Sequence, residues 1–370
     1  MNVERDIAVV AVPFTFGVLI TVYAETLFCG MTSAILVAVI LIISTLLSRN
    51  QFDSNQESRY LVLIIAMCIC GIMTGMTGIS LNISLPNPSI KTYASDLGKA
   101  LQEAIDDIPL ESSDHKSLIK ALLTGERSSL PNHITECFRR SGASHILALS
   151  GLHLGIIYGI ISRILSILGN SVAAKRLRSI ATVCICGLYT AATGAGPSIA
   201  RAFIFILIGE TIRLSNRHRS LSQMFFVSLI IQIMISPLAI RSISFQLSYA
   251  AMAGIAFIFP YLSGLWPENK ASSYAGRIFE KAMRWVWNCA SLSISCQLTT
   301  APLAYLYFGS FPTYFLLTNL FALPLTGVLI PTAMLTLCLS WTDYCPTLLI
   351  NTTSSLIELL LDSIEIIGSM

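Results

Sequence analysis

The chain has little charge for its length. Only 12% of its 370 residues are Asp, Glu, Lys or Arg, whereas 54% are hydrophobic and the mean hydropathy is +0.72. A soluble protein of this size needs a much more polar surface, so the composition excludes a large soluble domain and predicts a polytopic membrane protein. The net charge of +3 is too small to indicate a nucleic-acid partner by itself.

Motifs for cofactors and metals are also missing. The sequence contains neither a Walker A motif nor a Rossmann glycine fingerprint, which excludes the familiar nucleotide sites. No group of His, Cys, Asp and Glu has metal-ligand spacing, and the ten cysteines include no C-x-x-C pair. We therefore expect no cofactor and no metal, and we interpret the cysteines as small apolar packing residues.

What the chain has instead is a series of long apolar runs. They predict an all-α fold of about eleven transmembrane helices, including a broken hairpin of short helices. The expected spans are residues 7–24, 28–47, 60–82, 144–170, the two halves of 179–210, 221–237, 247–262, 285–308, 314–339 and 347–367.

The positions of Lys and Arg predict the orientation of these spans. With the N-terminus in the cytoplasm, the short basic loops all lie inside, as the positive-inside rule requires. These loops are residues 48–59, 163–178, 213–219 and 263–284. We divide the chain into an N-terminal three-span region (1–84), an extracytoplasmic region of amphipathic helices (85–143) and a transmembrane core (144–370).

The extracytoplasmic region shows helical periodicity without long apolar runs. Amphipathic helices are expected at residues 95–108, at 113–124 with Gly125 as its terminator, and at 131–142. They either lie on the bilayer surface or cap the ends of the spans. Seven basic residues make this region either a landing place for an anion or, because acidic residues nearly balance them, a solvated cap.

Residues 144–170 form the most informative apolar stretch. Ser144 is the expected N-cap, and Gly151, Gly155 and Gly159 form a doubled G-x-x-x-G that favours close helix packing, within one chain or across a dimer. His153 projects nearly opposite this glycine stripe, with Ser150 beside it. The A-L-S-G sequence lacks the G-x-S-G pattern of rhomboid proteases and has no third orienting residue. We therefore expect helix contact or pore lining there and no catalysis.

Residues 179–210 are apolar but are broken by the sequence TGAGPS. Pro197 cannot continue the first half, and Ser198 can cap the second half, whose first turn holds Arg201. A buried arginine beside a helix N-terminus suits a phosphate or carboxylate. The alternative is that Arg201 is neutralised by a carbonyl group or by Glu210.

Three further polar clusters lie within apolar runs, and they contain Gln246, Gln297 and Asn319. Each cluster alone fits interhelical hydrogen bonding. Together with the SGLH and TGAGPS sequences they place polar groups in at least five spans, which indicates an aqueous path. We predict that Arg201, Ser198, Ser150, His153, Gln246, Gln297 and Asn319 contact the transported anion or line its path.

The sequence LIKALLTGERSSLPNHITECFRRSGASHILALSGLHLGII resembles the core signature of the ComEC-type competence proteins. TGAGPSIARA, FQLSYAAMAGI, QLTTAPLAYLYFG and the segment with Asn319 and Pro324 follow in the family's order, so the resemblance covers residues 118–331. It implies a multi-pass channel of the bacterial inner membrane that passes single-stranded DNA into the cytoplasm during natural transformation. The implied partners are single-stranded DNA, membrane lipid and separate DNA-receptor, nuclease and helicase proteins, with a homo-oligomer left open.

The chain also departs from this family's pattern. Many members carry an OB-type domain and a metallo-β-lactamase-like domain, and we expect neither here, because residues 85–95 are too few for a barrel and the sequence ends soon after its last span. Arg241 and Ser244 replace the acidic residue and the glycine usual beside the FQLS motif. The alternative function is therefore transport of another anionic small molecule or of a lipid-linked substrate through the same bundle.

Overall fold

The computed structural model describes residues 3–23, 56–81, 88–110, 112–215, 220–267, 274–309, 314–341 and 345–369. Every regular element in these ranges is helical, which confirms the all-α class for the part described. The α-helices are α1 (Val3–Tyr23), α2 (Gln56–Leu81), α3 (Pro88–Asp106), α4 (Ser113–Thr124), α5 (Asn132–Arg140), α6 (Ser144–Leu147), α7 (Gly151–Ile164), α8 (Val172–Ala192), α9 (Pro197–Leu214), α10 (Leu221–Ile235), α11 (Ile243–Ala253), α12 (Phe259–Ser263), α13 (Tyr274–Phe308), α14 (Phe315–Ser340) and α15 (Thr347–Ser369).

Fewer helices than expected are long and apolar enough to cross a membrane. Four qualify by length and composition among the described residues, and they cover Asp6–Tyr23, Gly151–Leu168, Ile243–Ser263 and Phe315–Ser340. Two shorter apolar helices, Leu63–Ile79 and Leu221–Ile235, accompany them. The expected count of about eleven spans is therefore not confirmed. Several of the other predicted spans coincide with helices that contain charged residues, such as α8, α9 and α15. The predicted span at 28–47 lies outside the described residues.

Contacts divide the chain into two compact units. The first unit comprises residues 1–86 and 211–249. Its central feature is the pairing of α1 with α2, in which the two backbones touch at glycines. A Cβ atom on Gly17 would collide with the carbonyl group of Cys68, and one on Gly71 with the carbonyl group of Phe14. Only glycine permits this approach, so Gly17 and Gly71 fix the register of the pair.

The second unit comprises residues 87–210 and 250–370 and holds the largest apolar cluster. Apolar side chains of α3 to α6, such as Ile105, Leu118 and Phe138, share this cluster with Leu329 of α14 and Leu360 of α15. The apolar faces of these short helices are therefore buried against two long helices. This packing agrees with the cap interpretation of the predicted amphipathic region. The division into regions 1–84, 85–143 and 144–370 stays a prediction.

The prediction of one continuous helix over residues 144–170 is wrong. The one-turn helix α6 ends at Leu147, and Ala148 and Ser150 are extended, with ψ values of 124° and 171°. A new helix, α7, begins at Gly151, and Ser150 rather than Ser144 is its N-cap. The physical reason is local: the Ser150 hydroxyl and the His153 ring together satisfy backbone N–H groups at the start of α7, which favours a fresh start there.

The predicted break in residues 179–210 is confirmed. Helix α8 ends at Ala192, a turn with Gly194 at φ 82° follows, and α9 begins at Pro197. Helix α8 is longer than expected, at 21 residues, because it starts at Val172 and includes the basic residues before Ser179. Arg201 is the fifth residue of α9 and so lies just past its first turn. The depth of the turn in a bilayer stays a prediction.

Candidate functional site

The start of α7 is stabilised by a reciprocal pair of side chains. The backbone N–H of Leu152 donates to Oγ of Ser150 at 3.3 Å, and the backbone N–H of Ser150 donates to Nδ1 of His153 at 3.2 Å. Oγ of Ser150 also lies 3.0 Å from Nδ1 of His153. Ser150 and His153 therefore form a capping box, a structural role that explains their spacing without any catalytic one.

Arg201 lies directly against this helix start. Its side chain is only 7% exposed, and a Cβ built on Gly151 would lie 3.1 Å from Nη2 of Arg201 and 3.3 Å from Cβ of Ala202. The guanidinium group of Arg201 on α9 thus lies beside the positive end of the α7 dipole. Both features attract an anion, and the guanidinium fork suits a phosphate.

His153 completes the polar end of α7. It is 1% exposed, and its Nε2 is a buried atom that has no hydrogen-bond partner among the described residues. Neutral imidazole carries one donor and one acceptor, and Nδ1 already accepts from the backbone of Ser150. Nε2 is therefore the protonated nitrogen of the neutral ring, and its contact with an anion stays a prediction.

A buried carboxylate lies further along the same three-helix group. Glu210 of α9 is 2% exposed and accepts a hydrogen bond from Tyr158 of α7 at 2.6 Å and one from Ser179 of α8 at 2.7 Å. It therefore ties α7, α8 and α9 together through side chains. The sequence suggests Glu210 only as a possible partner for Arg201. The signal for this role was a single acidic residue inside the apolar run AFIFILIGETI.

The remaining predicted path residues are spread over both units. Ser198 is the half-buried second residue of α9. Gln297 is half-buried in α13, next in sequence to Cys296, and Asn319 of α14 lies beside the ring of His145. Gln246 belongs to the other unit, where its Nε2 donates to the carbonyl oxygen of Ile240 at 2.9 Å and to Oη of Tyr23 at 3.1 Å. The structure thus gathers Arg201, Ser150 and His153, and their joint role as an anion path stays a prediction.

The three glycines of the predicted stripe on α7 have different surroundings. Gly151 meets Arg201 and Ala202, whereas Cβ atoms on Gly155 and Gly159 would meet nothing within 4 Å among the described residues. Both of these glycines are exposed. Helix packing at Gly155 and Gly159 therefore stays a prediction, while the close approach at Gly151 leaves room for the guanidinium group.

Several basic residues of the short amphipathic helices already have acidic partners. Arg139 and Arg140 both bind Glu136, with N–O distances of 2.7 and 2.9 Å. Their hydrogen bonds lower the pKa of Glu136 to about 2. Lys120 pairs with Asp106 at 2.6 Å. These pairs favour the solvated-cap interpretation of that region over an anion landing place.

The comparison with family models places these features in a known context. The model of the Competence protein family matches residues 122–370, which is more than half of the chain and includes the capping box, Arg201 and Glu210. The resemblance seen in the sequence motifs is thereby confirmed. No solved structure matches the chain significantly.

Curated relatives agree with this match. The chain is 26% identical over 261 residues to the uncharacterized protein YcaI of Escherichia coli K12, a match that covers 69% of this chain and 32% of the relative. It is 24% identical over 221 residues to ComE operon protein 3 of Bacillus subtilis, covering 59% and 25% of the two chains. It is 23% identical over 219 residues to Recombination protein 2 of Haemophilus influenzae, covering 58% and 27%. The chain spans about a quarter to a third of the length of these relatives.

Proposed function

The chain belongs to the Competence protein family, and from that premise we propose that it is a channel that passes single-stranded DNA into the cytoplasm during natural transformation. In this proposal the protein is a multi-pass protein of the bacterial inner membrane with a cytoplasmic N-terminus. Separate receptor, nuclease and helicase proteins deliver and pull the strand. The family match and the names of two relatives, ComE operon protein 3 and Recombination protein 2, support DNA as the cargo.

The observation that carries the proposal is the placement of Arg201. An arginine that is 7% exposed inside a largely apolar chain is costly, and such residues mark ion and substrate pathways. It lies at the start of α7, where the positive end of the helix dipole also favours negative charge. A DNA strand presents one phosphate per nucleotide, so each phosphate in turn meets the same donors as the strand moves.

Ser150 has a different part in this proposal. Its hydroxyl caps α7 and contacts His153. Ser150 therefore positions the first turn of α7, which Arg201 contacts. A hydrolase would need this hydroxyl to point at a substrate with its own base and orienting group. In this proposal the protein acts as a channel, and any degradation of DNA belongs to a partner protein.

The experiment is a complementation of DNA uptake in a transformable host. The gene is deleted and replaced by the wild type, Arg201→Ala, Arg201→Lys or Leu188→Ala, with equal amounts of protein verified in the membrane. Leu188 is a matched control because it is 59% exposed on α8, on the side opposite that helix's buried face. Labelled double-stranded DNA is supplied, and nuclease-protected label and transformants are counted.

We expect Arg201→Ala to lower both readouts roughly 30-fold or more, the effect of removing one member of a buried charged contact. Arg201→Lys keeps the charge but loses the planar fork, so an intermediate loss is expected. Leu188→Ala should transport normally. Normal DNA uptake by a strain that carries Arg201→Ala would show that Arg201 does not contact the transported DNA. Normal transformation by the deletion strain would show that the cargo is another anion, and small-molecule or lipid-linked substrates would be tested next.

A further inference from the structure

The turn between α7 and α8 combines exposed apolar side chains with basic ones. Helix α7 passes into a short 3₁₀ segment at Leu165–Leu168, and only residues 169–171 separate that segment from α8. We call residues 163–178 the basic elbow. Its large exposed apolar side chains are Ile164 (59%), Ile167 (86%), Leu168 (50%), Val172 (68%) and Leu177 (58%), and its basic side chains are Arg163, Lys175, Arg176 and Arg178.

The two helices that meet at the elbow run antiparallel. Near the elbow, Tyr158 of α7 and Ser179 of α8 both donate a hydrogen bond to Glu210. Further from it, Leu154 of α7 and Cys186 of α8 belong to one buried cluster. The elbow is therefore the closed end of a helical hairpin.

This hairpin places the elbow at a boundary of the membrane. Gly151–Leu168 is one of the four described segments that are long and apolar enough to cross a bilayer. Eighteen helical residues extend ~27 Å, which is close to the thickness of the hydrocarbon core. The elbow lies at one end of this segment. The short helices of the cap lie at the other end, where Oη of Tyr189 on α8 donates to the carbonyl oxygen of Leu123 on α4.

The basic groups of the elbow have no acidic partner in the described part of the chain. The sequence holds no Asp or Glu between Glu136 and Glu210, and the ion pairs of the described residues include none of the four basic side chains. Nε of Arg178 is also buried without a hydrogen-bond partner there. In the cap, by contrast, Arg139 and Arg140 both bind Glu136. The elbow therefore requires a counter-ion from another molecule.

Anionic phospholipid satisfies both parts of this surface. Water solvates the basic groups but leaves five large apolar side chains exposed, and the interior of a bilayer does the reverse. A two-fold contact with a second copy would bring like charges together. The headgroup region of an anionic leaflet instead takes the apolar side chains at the boundary of the acyl chains, while its phosphates pair with the basic heads.

We propose that the basic elbow binds anionic phospholipid headgroups, with Ile167 and Leu168 at the acyl boundary and Arg163, Lys175 and Arg176 on the phosphates. Each Lys or Arg near an anionic membrane surface raises the affinity roughly fivefold, and salt reduces this effect. The elbow thus selects the lipid beside the α7–α8 hairpin. This inference goes beyond the proposed function and holds for any cargo.

The test is fluorescence quenching of the full-length protein in lipid vesicles. A fluorescent amino acid is incorporated at Ile167 or, as the control, at Leu188, which is 59% exposed on α8. Leu188 lies ~24 Å along the helix from Val172, near the opposite boundary of the membrane. The vesicles contain phosphatidylcholine with about a quarter phosphatidylglycerol. Either the phosphatidylglycerol or an equal amount of the phosphatidylcholine carries bromine on the acyl carbons next to the headgroup, and bromine quenches only a fluorophore in contact with it.

We expect brominated phosphatidylglycerol to quench the probe at position 167 at least about threefold more strongly than brominated phosphatidylcholine does. The two lipids should quench the probe at position 188 equally. Equal quenching at position 167 would overturn the anionic preference. Absence of quenching there by either lipid would place the elbow in water and overturn the whole proposal.

Charge variants test which residues hold the lipid. The triple variant Arg163→Gln, Lys175→Gln, Arg176→Gln should lose the preference for phosphatidylglycerol and keep its quenching by brominated phosphatidylcholine. The matched control is Arg139→Gln, Arg140→Gln, which removes basic residues that already bind Glu136 and should keep the preference. A preference that persists in the triple variant would refute the role of these three residues.

The quenching measurement separates this inference from the proposed cargo, because it uses no DNA. A lipid preference at position 167 in a protein whose deletion leaves transformation normal would support the lipid site and contradict the DNA channel. A wild-type elbow without lipid preference, combined with loss of DNA uptake in the triple variant, would assign the basic residues to the strand or to a partner protein and overturn the lipid site.

Discussion

Replacement of Glu210 by leucine removes the acceptor that joins three helices. Its two oxygens accept from Tyr158 at 2.6 Å and from Ser179 at 2.7 Å, and Glu210 is only 2% exposed. A hydrogen bond to a charged group contributes about 1.5–3 kcal/mol, so loss of both predicts a loss of stability of about 3–6 kcal/mol. Glu210→Gln keeps the volume and one acceptor oxygen, and it should cost roughly half as much.

The assay is thermal unfolding of the protein purified in detergent, with Tyr158→Phe and Ser179→Ala as single-bond variants. Each should lower the free energy of unfolding by about 1–3 kcal/mol, which corresponds to a few degrees in Tm. In the Glu210→Leu background the same changes should have almost no further effect, so the double-mutant cycles should show coupling of at least about 1 kcal/mol. Additive effects, or single variants that unfold like the wild type, would refute the role of Glu210 as the acceptor that joins α7, α8 and α9.

Two other predictions concern glycine and the helix cap. Gly71→Ala should separate α1 from α2 and lower the amount of folded protein several-fold, because its Cβ would collide with a carbonyl group of α1. Gly155→Ala, where a Cβ meets nothing within 4 Å, should be neutral or stabilising by up to about 1 kcal/mol, and thermal unfolding of both variants decides the matter. Ser150→Ala should cost about 1 kcal/mol as a lost cap, and a serine-reactive fluorophosphonate should label neither wild type nor variant. Labelling of the wild type alone would contradict the structural role of Ser150.

The sequence was most informative where one residue type has a strong local effect. Pro197 and its neighbouring glycines predicted the break between α8 and α9, and Gly125 predicted the end of α4, where it adopts φ 77°. These features depend on backbone chemistry within a few residues. The apolar runs predicted a helical membrane protein for the same reason, since length and hydropathy are local properties.

Features that depend on partners distant in sequence were harder to predict. The capping box at Ser150 and His153 overrode an apolar run that looked continuous, so the helix start moved from Ser144 to Gly151. The close backbone contacts of the first unit lie at Gly71 and its partner helix, although the doubled G-x-x-x-G of α7 was the stronger motif. Which glycine approaches a neighbouring helix depends on how the helices are arranged, and that arrangement cannot be read from a single sequence.

Contacts between helices also needed the structure. Glu210 is a single charged residue in an apolar run, and only the positions of Tyr158 and Ser179 show which helices it joins. The last apolar run, residues 347–367, is predicted from the sequence simply as a span, and the 3.0 Å contact between the hydroxyl groups of Thr336 and Thr353 shows that α15 packs beside α14.

The most direct measurement captures DNA at the proposed contact during uptake. A photo-crosslinking amino acid is placed at Ser198, one turn before Arg201 on α9, and at Leu188 as the control. Cells take up labelled DNA and are irradiated, and the protein is purified under denaturing conditions. The account predicts a single-stranded DNA adduct at position 198 and none at 188. Uptake that continues without an adduct at 198, or with equal adducts at both positions, would contradict a DNA path past Arg201.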